Sequence, residues 1–461
     1  MSLTALINIA GDGLAAQTAA LDATSQNVAN VNTPGYSRVT ANLETTSTGD
    51  TYSGSVVASG VISSFDQFTF GNVLSEQGLG GAADSRSQAL SNVENVIAPS
   101  GGTIADSVNT FFGSLTALAT SPSDPSTRAT VLQDATSLAQ NISGTAAGLS
   151  TERASLLAQA QGVATQVNGQ LSQMAALNGQ IAAESAGGNQ PTDLENQRDA
   201  LASSLSTEIG AQVINGPSGY TLLSSNTALV SGSSASSVSV GLGSTGDLQI
   251  MATSTGGAAQ DITSGVTQGT LGGIVEARDQ DIPSLSSQLD QFAYNLSTSV
   301  NAVYSTGYGL DGVTGRNLFA APSAVAGAAY SMAVDPSVVG QPDQLAASGS
   351  AADVPGGNSV AVALAALASQ PLAGGQPPAQ AFGAIAANIG NALSSAQSES
   401  QLRASTVTQA QNLNQSQSGV SLDQEMTNMT QFQNAYQASS KVLQTAESLL
   451  EELMADVGPA S

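Results

Sequence analysis

Residues 420–457 read VSLDQEMTNMTQFQNAYQASSKVLQTAESLLEELMADV, with no Gly or Pro among them. Leu422, Met429, Tyr436, Leu443, Leu450 and Val457 recur every seven residues. Phe432, Ser439, Ala446 and Leu453 each follow one of these by three residues, giving the seam a second line. Apolar residues stepping by three and four share one face of a helix, and a sustained seven-residue repeat is coiled-coil spacing. Such a helix runs roughly 55 Å at about 1.5 Å per residue. Gly458-Pro459 is expected to stop it, since Pro cannot continue the hydrogen-bond ladder.

The opposite end carries a weaker version of the pattern. Leu3, Ile7, Ala10, Leu14, Leu21 and Val28 step by four and three, with Gln17 and Thr24 as polar members. That helix is expected to stop near Asn30. Asn32-Thr33-Pro34-Gly35 then reads as a turn, with Pro34 fixing φ and Gly35 free to adopt positive φ. Pro34 also biases Thr33 away from the helical region. Spacing alone admits two readings of the C-terminal helix. It could fold onto the chain's own core, or form a paired terminal module with an apolar seam. Two such helices at opposite chain ends favour the module.

Composition narrows the function classes. The chain has 461 residues, a length that suggests about three domains. Aromatic residues make up 4% and Trp is missing, while Gly numbers 48. Cores of Ala, Leu, Val and Ile suit slender helical layers. Lys and Arg total 9 against 34 Asp and Glu, for a formal net charge of -25. Phosphate backbones and anionic membrane surfaces repel such a chain, so neither nucleic acid nor membrane is an expected partner. With no Cys and no His, the sequence excludes Cys nucleophiles, His general bases and Cys/His zinc sites. The longest apolar run, near Val360 to Ala368, is too short to span a bilayer and reads as a packed helix. Residues 1–10 lack any basic residue and do not read as a cleaved signal peptide.

Between the ends, residues 38–62 are rich in Thr, Ser, Val and Gly and read as short extended strands. Helical signals dominate from 64 to 210, with segments at 106–118, 126–149, 152–186 and 193–209. From 211 to about 269 the texture changes to short β-like runs: Val213-Ile214, Tyr220 to Leu223, Val238 to Val240 and Leu248 to Met251. Helix returns over 271–304 and again over 382–411. Residues 307–357 are loop-rich, and polar 412–419 reads as a hinge. The expected fold is therefore mainly α with a small inserted β-domain and long terminal helices, in an elongated multi-domain subunit. The corresponding division is 1–40 with 415–461, then 41–210 with 271–414, and an insert at 211–270.

Two carboxylate clusters are candidates for chemistry, Asp193/Glu195/Asp199 and Glu276/Asp279/Asp281. A glycosidase pair or an oxygen-ligand metal site needs such groups facing each other at a defined separation. Arg198 and Arg278 lie inside the groups, which points to ion pairs on a solvated helix face. The Gly-rich run 265–273 lacks the Lys-Ser/Thr ending of a phosphate loop. We therefore expect no catalytic residue, metal site or cofactor.

The segment Ser25-Gln-Asn-Val-Ala-Asn-Val-Asn-Thr-Pro-Gly-Tyr-Ser-Arg38 resembles the signature after the first helix of bacterial flagellar rod, hook and hook-associated proteins. Its matching positions are Asn27, Asn30, Asn32, Thr33, Pro34, Gly35 and Tyr36. Ser418-Gly-Val-Ser-Leu-Asp-Gln-Glu-Met-Thr-Asn-Met429, running on through Tyr436, resembles the C-terminal signature of the hook–filament junction members. Residues 193–201 and 271–301 agree with those members too, although Tyr304 stands where the pattern leads to His.

That resemblance implies a structural subunit whose paired terminal helices line the flagellar axis and polymerise. The seam would then be an assembly interface of Leu3, Ile7, Leu14, Leu21, Val28, Leu422, Met429, Phe432, Tyr436, Leu443, Leu450, Leu453 and Val457. Implied partners are further copies in a ring, the hook protein, the second hook-associated junction protein and an export chaperone on the C-terminal helix. Secretion would use the flagellar type III apparatus without cleavage. The alternatives are a hook or rod protein of the same family, a flagellum-associated wall hydrolase, or a free adhesin using the β-insert.

Overall fold

The computed structural model describes residues 3–33, 35–48, 51–99, 102–187, 190–216, 219–373 and 375–456. Helix α1 (Leu3–Ala29) leads into an antiparallel two-stranded ladder, β1 (Val39–Thr48) and β2 (Thr51–Ser63). Four helices follow: α2 (Gln67–Ile97), α3 (Ile104–Thr120), α4 (Pro125–Ala186) and α5 (Thr192–Ile209). Their starts are set locally. The Asp66 carboxylate accepts from Thr69 N at 2.7 Å, Thr103 and Asp106 form a capping box, and Asp124 caps α4 ahead of Pro125 at its first turn.

Helix α4 is one continuous rod of 62 residues where the sequence suggested two segments meeting near 150. Ser150 and Thr151 are polar, but neither removes a backbone donor. The buried face simply continues through Leu149 and Leu156. The same reasoning corrects the hinge expected at 412–419. Helix α9 (Pro378–Ser418) runs through all those amides, and the break before α10 (Leu422–Asp456) comes at Gly419, whose backbone is extended. Polarity alone does not end a helix.

Seven short strands occupy 212–261: β3 (Gln212–Gly216), β4 (Gly219–Ser224), β5 (Thr227–Ser231) and β6 (Ser234–Ala235) in one sheet, then β7 (Ser237–Leu242), β8 (Leu248–Thr253) and β9 (Ala259–Asp261) in another. Both sheets are antiparallel meanders that lie on α4. Two asparagines of α4 hold them. Asn168 donates to Val238 O at 2.8 Å and accepts from Val238 N at 2.7 Å. Asn178 donates to Tyr220 O and Gly232 O at 3.0 and 2.9 Å. Leu222, Val230, Val238 and Ile250 of the strands share one core cluster with the helices.

Helix α6 (Gly269–Glu276) passes through a π turn (Ala277–Asp281) into α7 (Ile282–Tyr304). Pro283 cannot donate within the ladder, and the wider turn accommodates it. The loops beyond are pinned by buried polar groups. Asn301 accepts from Leu318 N and Phe319 N, both at 3.0 Å. The Tyr304 hydroxyl accepts from Ala346 N at 3.1 Å and donates to Gln344 O. Arg128, 1% exposed, donates to the carbonyls of Pro122, Pro342 and Leu345. The apolar run at Val360 is helix α8 (Ser359–Ala366).

Helix α2 crosses its neighbours at glycines. A Cβ built on Gly81 would overlap Thr207 O of α5, and one on Gly273 of α6 would overlap Ala82 O of α2. Backbones approach closely at both crossings, with the Ser85 hydroxyl also against Gly273.

Candidate assembly interface at the joined ends

Helices α1 and α10 pack against each other in antiparallel fashion. Asn27 meets Glu425 at one end, and Gly13 faces Ser439 midway along. The buried face of α1 is Ala10, Ala16, Ala20, Ala23, Thr24 and Asn27. Across from it, Glu425 and Ala446 are fully buried. Small residues allow the two helices to approach closely, so this contact needs no large side chains.

Of the seam expected from spacing, Ala10, Thr24 and Ala446 are buried, while the larger residues lie to the side. Leu3, Ile7, Leu14, Leu21 and Val28 are all half-buried. Leu21 and Val28 each lie one residue beyond a member of the small-residue ridge, about 100° round the helix. On α10, Met429, Phe432, Leu443 and Leu450 are half-buried, while Leu422, Tyr436 and Leu453 are 46%, 41% and 62% exposed. Val457 lies outside the described residues. Met426, Val442, Leu449 and Met454, which the heptad reading passed over, are also exposed. The joined helices thus carry an unburied aliphatic surface beside their internal contact.

The turn motif ties this pair to the rest of the chain. Asn27, 1% exposed, donates to Val39 O at 2.7 Å and to Glu425 Oε2 at 3.1 Å. Its Oδ1 accepts from Val39 N at 2.8 Å and from the Tyr36 hydroxyl at 3.1 Å. One amide therefore joins α1, β1, the turn and α10. Burial, with Asp193 and Glu425 nearby, pushes the Tyr36 hydroxyl up to about 12, so it stays a donor. Asn30 donates to Gln26 O and accepts from Thr33 Oγ1, which closes the helix end. Gly35 has φ +79, as its place in the turn required. Asn32 is exposed, and Pro34 lies outside the described residues. Arg38 N donates to Ser418 O at 2.8 Å, fixing the motif to the end of α9. A cleft of about 690 Å³ lies between this turn, α2, α5 and α9, lined by amides such as Asn30, Gln77, Asn412 and Gln415.

The carboxylate groups turn out to be joints. Asp193 is exposed, but Arg198 and Asp199 are each 6% exposed, so the solvated face expected there does not hold. The Arg198 guanidinium stacks on Tyr220 at 3.5 Å from the ring centroid, where β4 covers α5. Arg278, also buried, pairs with Asp279 and donates to Arg153 O and Gly246 O. Asp279 in turn accepts from Leu248 N at 2.7 Å, binding β8 to the π turn. Arg86 links α2 to Glu276 and Asp281 at 2.9 Å each. These groups fasten elements together. Among the described residues, no group of three or more Asp or Glu could hold a metal ion. No described helix is long and apolar enough to cross a membrane.

Burial pushes the Asp199 carboxyl up to about 6, against lowering by Tyr220 and Arg198. A pKa raised in the folded state favours folding at pH below the unfolded value of 3.8, and that contribution is lost as pH rises through about 6. The difference corresponds to about 3 kcal/mol. Asp199→Asn should therefore stabilise the α5–β4 joint at pH 7.5 and lose that advantage at pH 4. Urea unfolding of both proteins at the two pH values tests this. A pH-independent difference would refute the assignment.

Comparison with known proteins gives a consistent picture. The family described as flagellar hook-associated protein FlgK helical domain matches residues 90–319. The flagellar basal body rod FlgEFG protein C-terminal family matches 411–455, and the flagella basal body rod protein family matches 7–36. The chain is similar to flagellar hook-associated protein 1 of Salmonella typhimurium, 29% identical over 334 residues, covering 70% of this chain and 60% of that one. It is similar to the protein of that name from Escherichia coli, 24% identical over 98% of this chain and 100% of the other. The Bacillus subtilis protein is 27% identical, covering 96% of each. Among solved structures, the flagellar hook junction protein FlgK from Burkholderia pseudomallei aligns with a TM-score of 0.50 and 29% identity, over 54% of this chain and 46% of that one. Both ends and the middle thus fall in the flagellar rod, hook and hook-associated class. Within that class, the chain belongs to the flagellar hook-associated protein 1 family.

Proposed function

We propose that this chain is a structural subunit of the bacterial flagellum that forms the junction between hook and filament by polymerising through its terminal helices. The observation that carries the reading is the aliphatic surface left open on the α1–α10 pair. Each such side chain contributes about 1.5–3 kcal/mol when a partner buries it. Leu3, Ile7, Leu14, Leu21 and Val28 would meet neighbours on one helix, and Leu422, Met429, Tyr436, Leu450 and Leu453 on the other. Residues 1–40 with 415–461 would act as the assembly domain, 41–210 with 271–414 as the helical body, and 211–270 as its insert. Partners would be further copies in a ring, the hook protein and the second junction protein. An export chaperone would hold the C-terminal helix until secretion through the type III apparatus. We assign the subunit no chemistry.

A hook or rod role is the second reading, supported by the rod families that match the two ends. Deletion separates the two. Loss of a junction subunit leaves hooks in place and sheds filament protein into the medium, whereas loss of a hook or rod subunit removes the hook. Peptidoglycan hydrolysis by the purified chain, abolished by replacing Asp193 or Glu195, would overturn the structural reading. Leu443→Asp should abolish filament attachment while α2 to α9 stay folded by circular dichroism. Normal swimming by that strain would sink the case for the terminal helices.

A further inference from the structure

Along the described stretches 40–45 and 55–62, the ladder β1–β2 has an open edge on each side. Its strands bond to each other from Val39↔Ser63 to Thr48↔Thr51, and the element they lie on is α1. Among the described residues, no backbone hydrogen bond from another element reaches 40–45 or 55–62. A free-standing pair of strands is marginal in water, and its unpaired N–H and C=O groups recruit further strands. Proteins that keep such edges free guard them with Lys, Pro or other charges. Residues 39–63 contain no Lys, Arg or Pro, and Glu44 and Asp50 are their only charges.

That scarcity of charge also bears on what covers the edges. Copies of a chain with net charge -25 repel one another over most of their surfaces. The ladder is a place where they can meet with little repulsion. It is also continuous with the helix pair assigned to assembly, since Ser55 of β2 donates to Asp12 of α1.

We propose that the outer edge of β1 in one subunit pairs with the outer edge of β2 in the next, so that successive ladders form a closed antiparallel belt. This rests on the ring assembly proposed above. The topology fits a head-to-tail ring. β1 and β2 are antiparallel within a copy, so ladders pointing the same way bring β2 of one copy antiparallel to β1 of its neighbour. Closure leaves no edge. The bulge at Asn42/Leu43, where Ser59 is the extra residue opposite, adds the local twist and bend that a curved belt needs.

Hydrogen exchange of the full-length chain, as monomer and after polymerisation, tests the belt. Outward-facing amides within 40–45 and 56–62 should exchange on the order of 100-fold slower in the polymer, together with protection of α1 and α10. Protection of α1 and α10 with the ladder unchanged would overturn the belt alone. Failure of the full chain to assemble would overturn the ring, and the belt with it. A second test is the double variant Thr40→Lys, Thr45→Lys, at two exposed positions of β1. Its monomer should melt as the parent does, while the concentration needed for assembly rises about tenfold or more. Unimpaired assembly of that variant would overturn the belt.

Discussion

Asn27→Ala should release α10 from α1 at a cost of about 3–5 kcal/mol. The amide makes four hydrogen bonds, two with the Val39 backbone and one each with Glu425 and Tyr36. Without it, Val39 N faces a methyl group and Glu425, 1% exposed, loses its amide donor. Breaking one partner of a buried charge costs more than removing both. Two controls make the claim specific. Glu425→Gln keeps an acceptor oxygen for Asn27 and should cost less than about 1 kcal/mol. The double variant Asn27→Ala, Glu425→Ala should lose less than the sum of the single changes. Limited proteolysis gives the measurement, because a released α10 is cut early while the helical body survives. If Asn27→Ala resists protease as the parent does, the amide is not the knot described.

Gly81→Ala should be comparably severe, and in a different part of the molecule. The added methyl falls on the Thr207 carbonyl of α5, and α5 cannot move aside without disturbing the close contact between Gly210, at its C-terminal end, and Gln268. Overpacking against backbone should cost about 3 kcal/mol, the upper end of the usual range. Gly71→Ala is the control on the same helix, since a Cβ there meets nothing within 4 Å. It should stabilise by up to about 1 kcal/mol through helix propensity alone. Urea midpoints by circular dichroism separate the pair. Equal midpoints for the two variants would contradict the close crossing.

Periodicity made the long helices legible, because burial of one face repeats along the chain. The start of the last helix after Gly419, and the β texture at 212–261, could also be read from breakers and β-branched runs. The site was legible at lower resolution. Heptad spacing puts Phe432, Leu443 and Ala446 on one face and gives weight to size, whereas the internal contact buries Ala446 together with Ala16 and Ala20 of α1. Nothing local marks Glu425 as the partner of Asn27. The buried Arg198 and Asp199 looked like a surface pair because composition says nothing about what a strand from another region will cover. Tyr220 is that cover, and its place follows only from the fold.

The bond between Asn27 and Glu425 spans 398 positions of sequence. During synthesis the first helix therefore emerges long before the segment that shields it, and cannot find its mate until the residues through Glu425 have been made. Contacts of such separation are late and entropically expensive to close. The α1–α10 pair accordingly closes after the helices between its two halves have had time to fold. Anything that occupies α10 in that interval also keeps α1 unpaired. Timing of assembly is thus written into where the two halves of the module lie in the gene product.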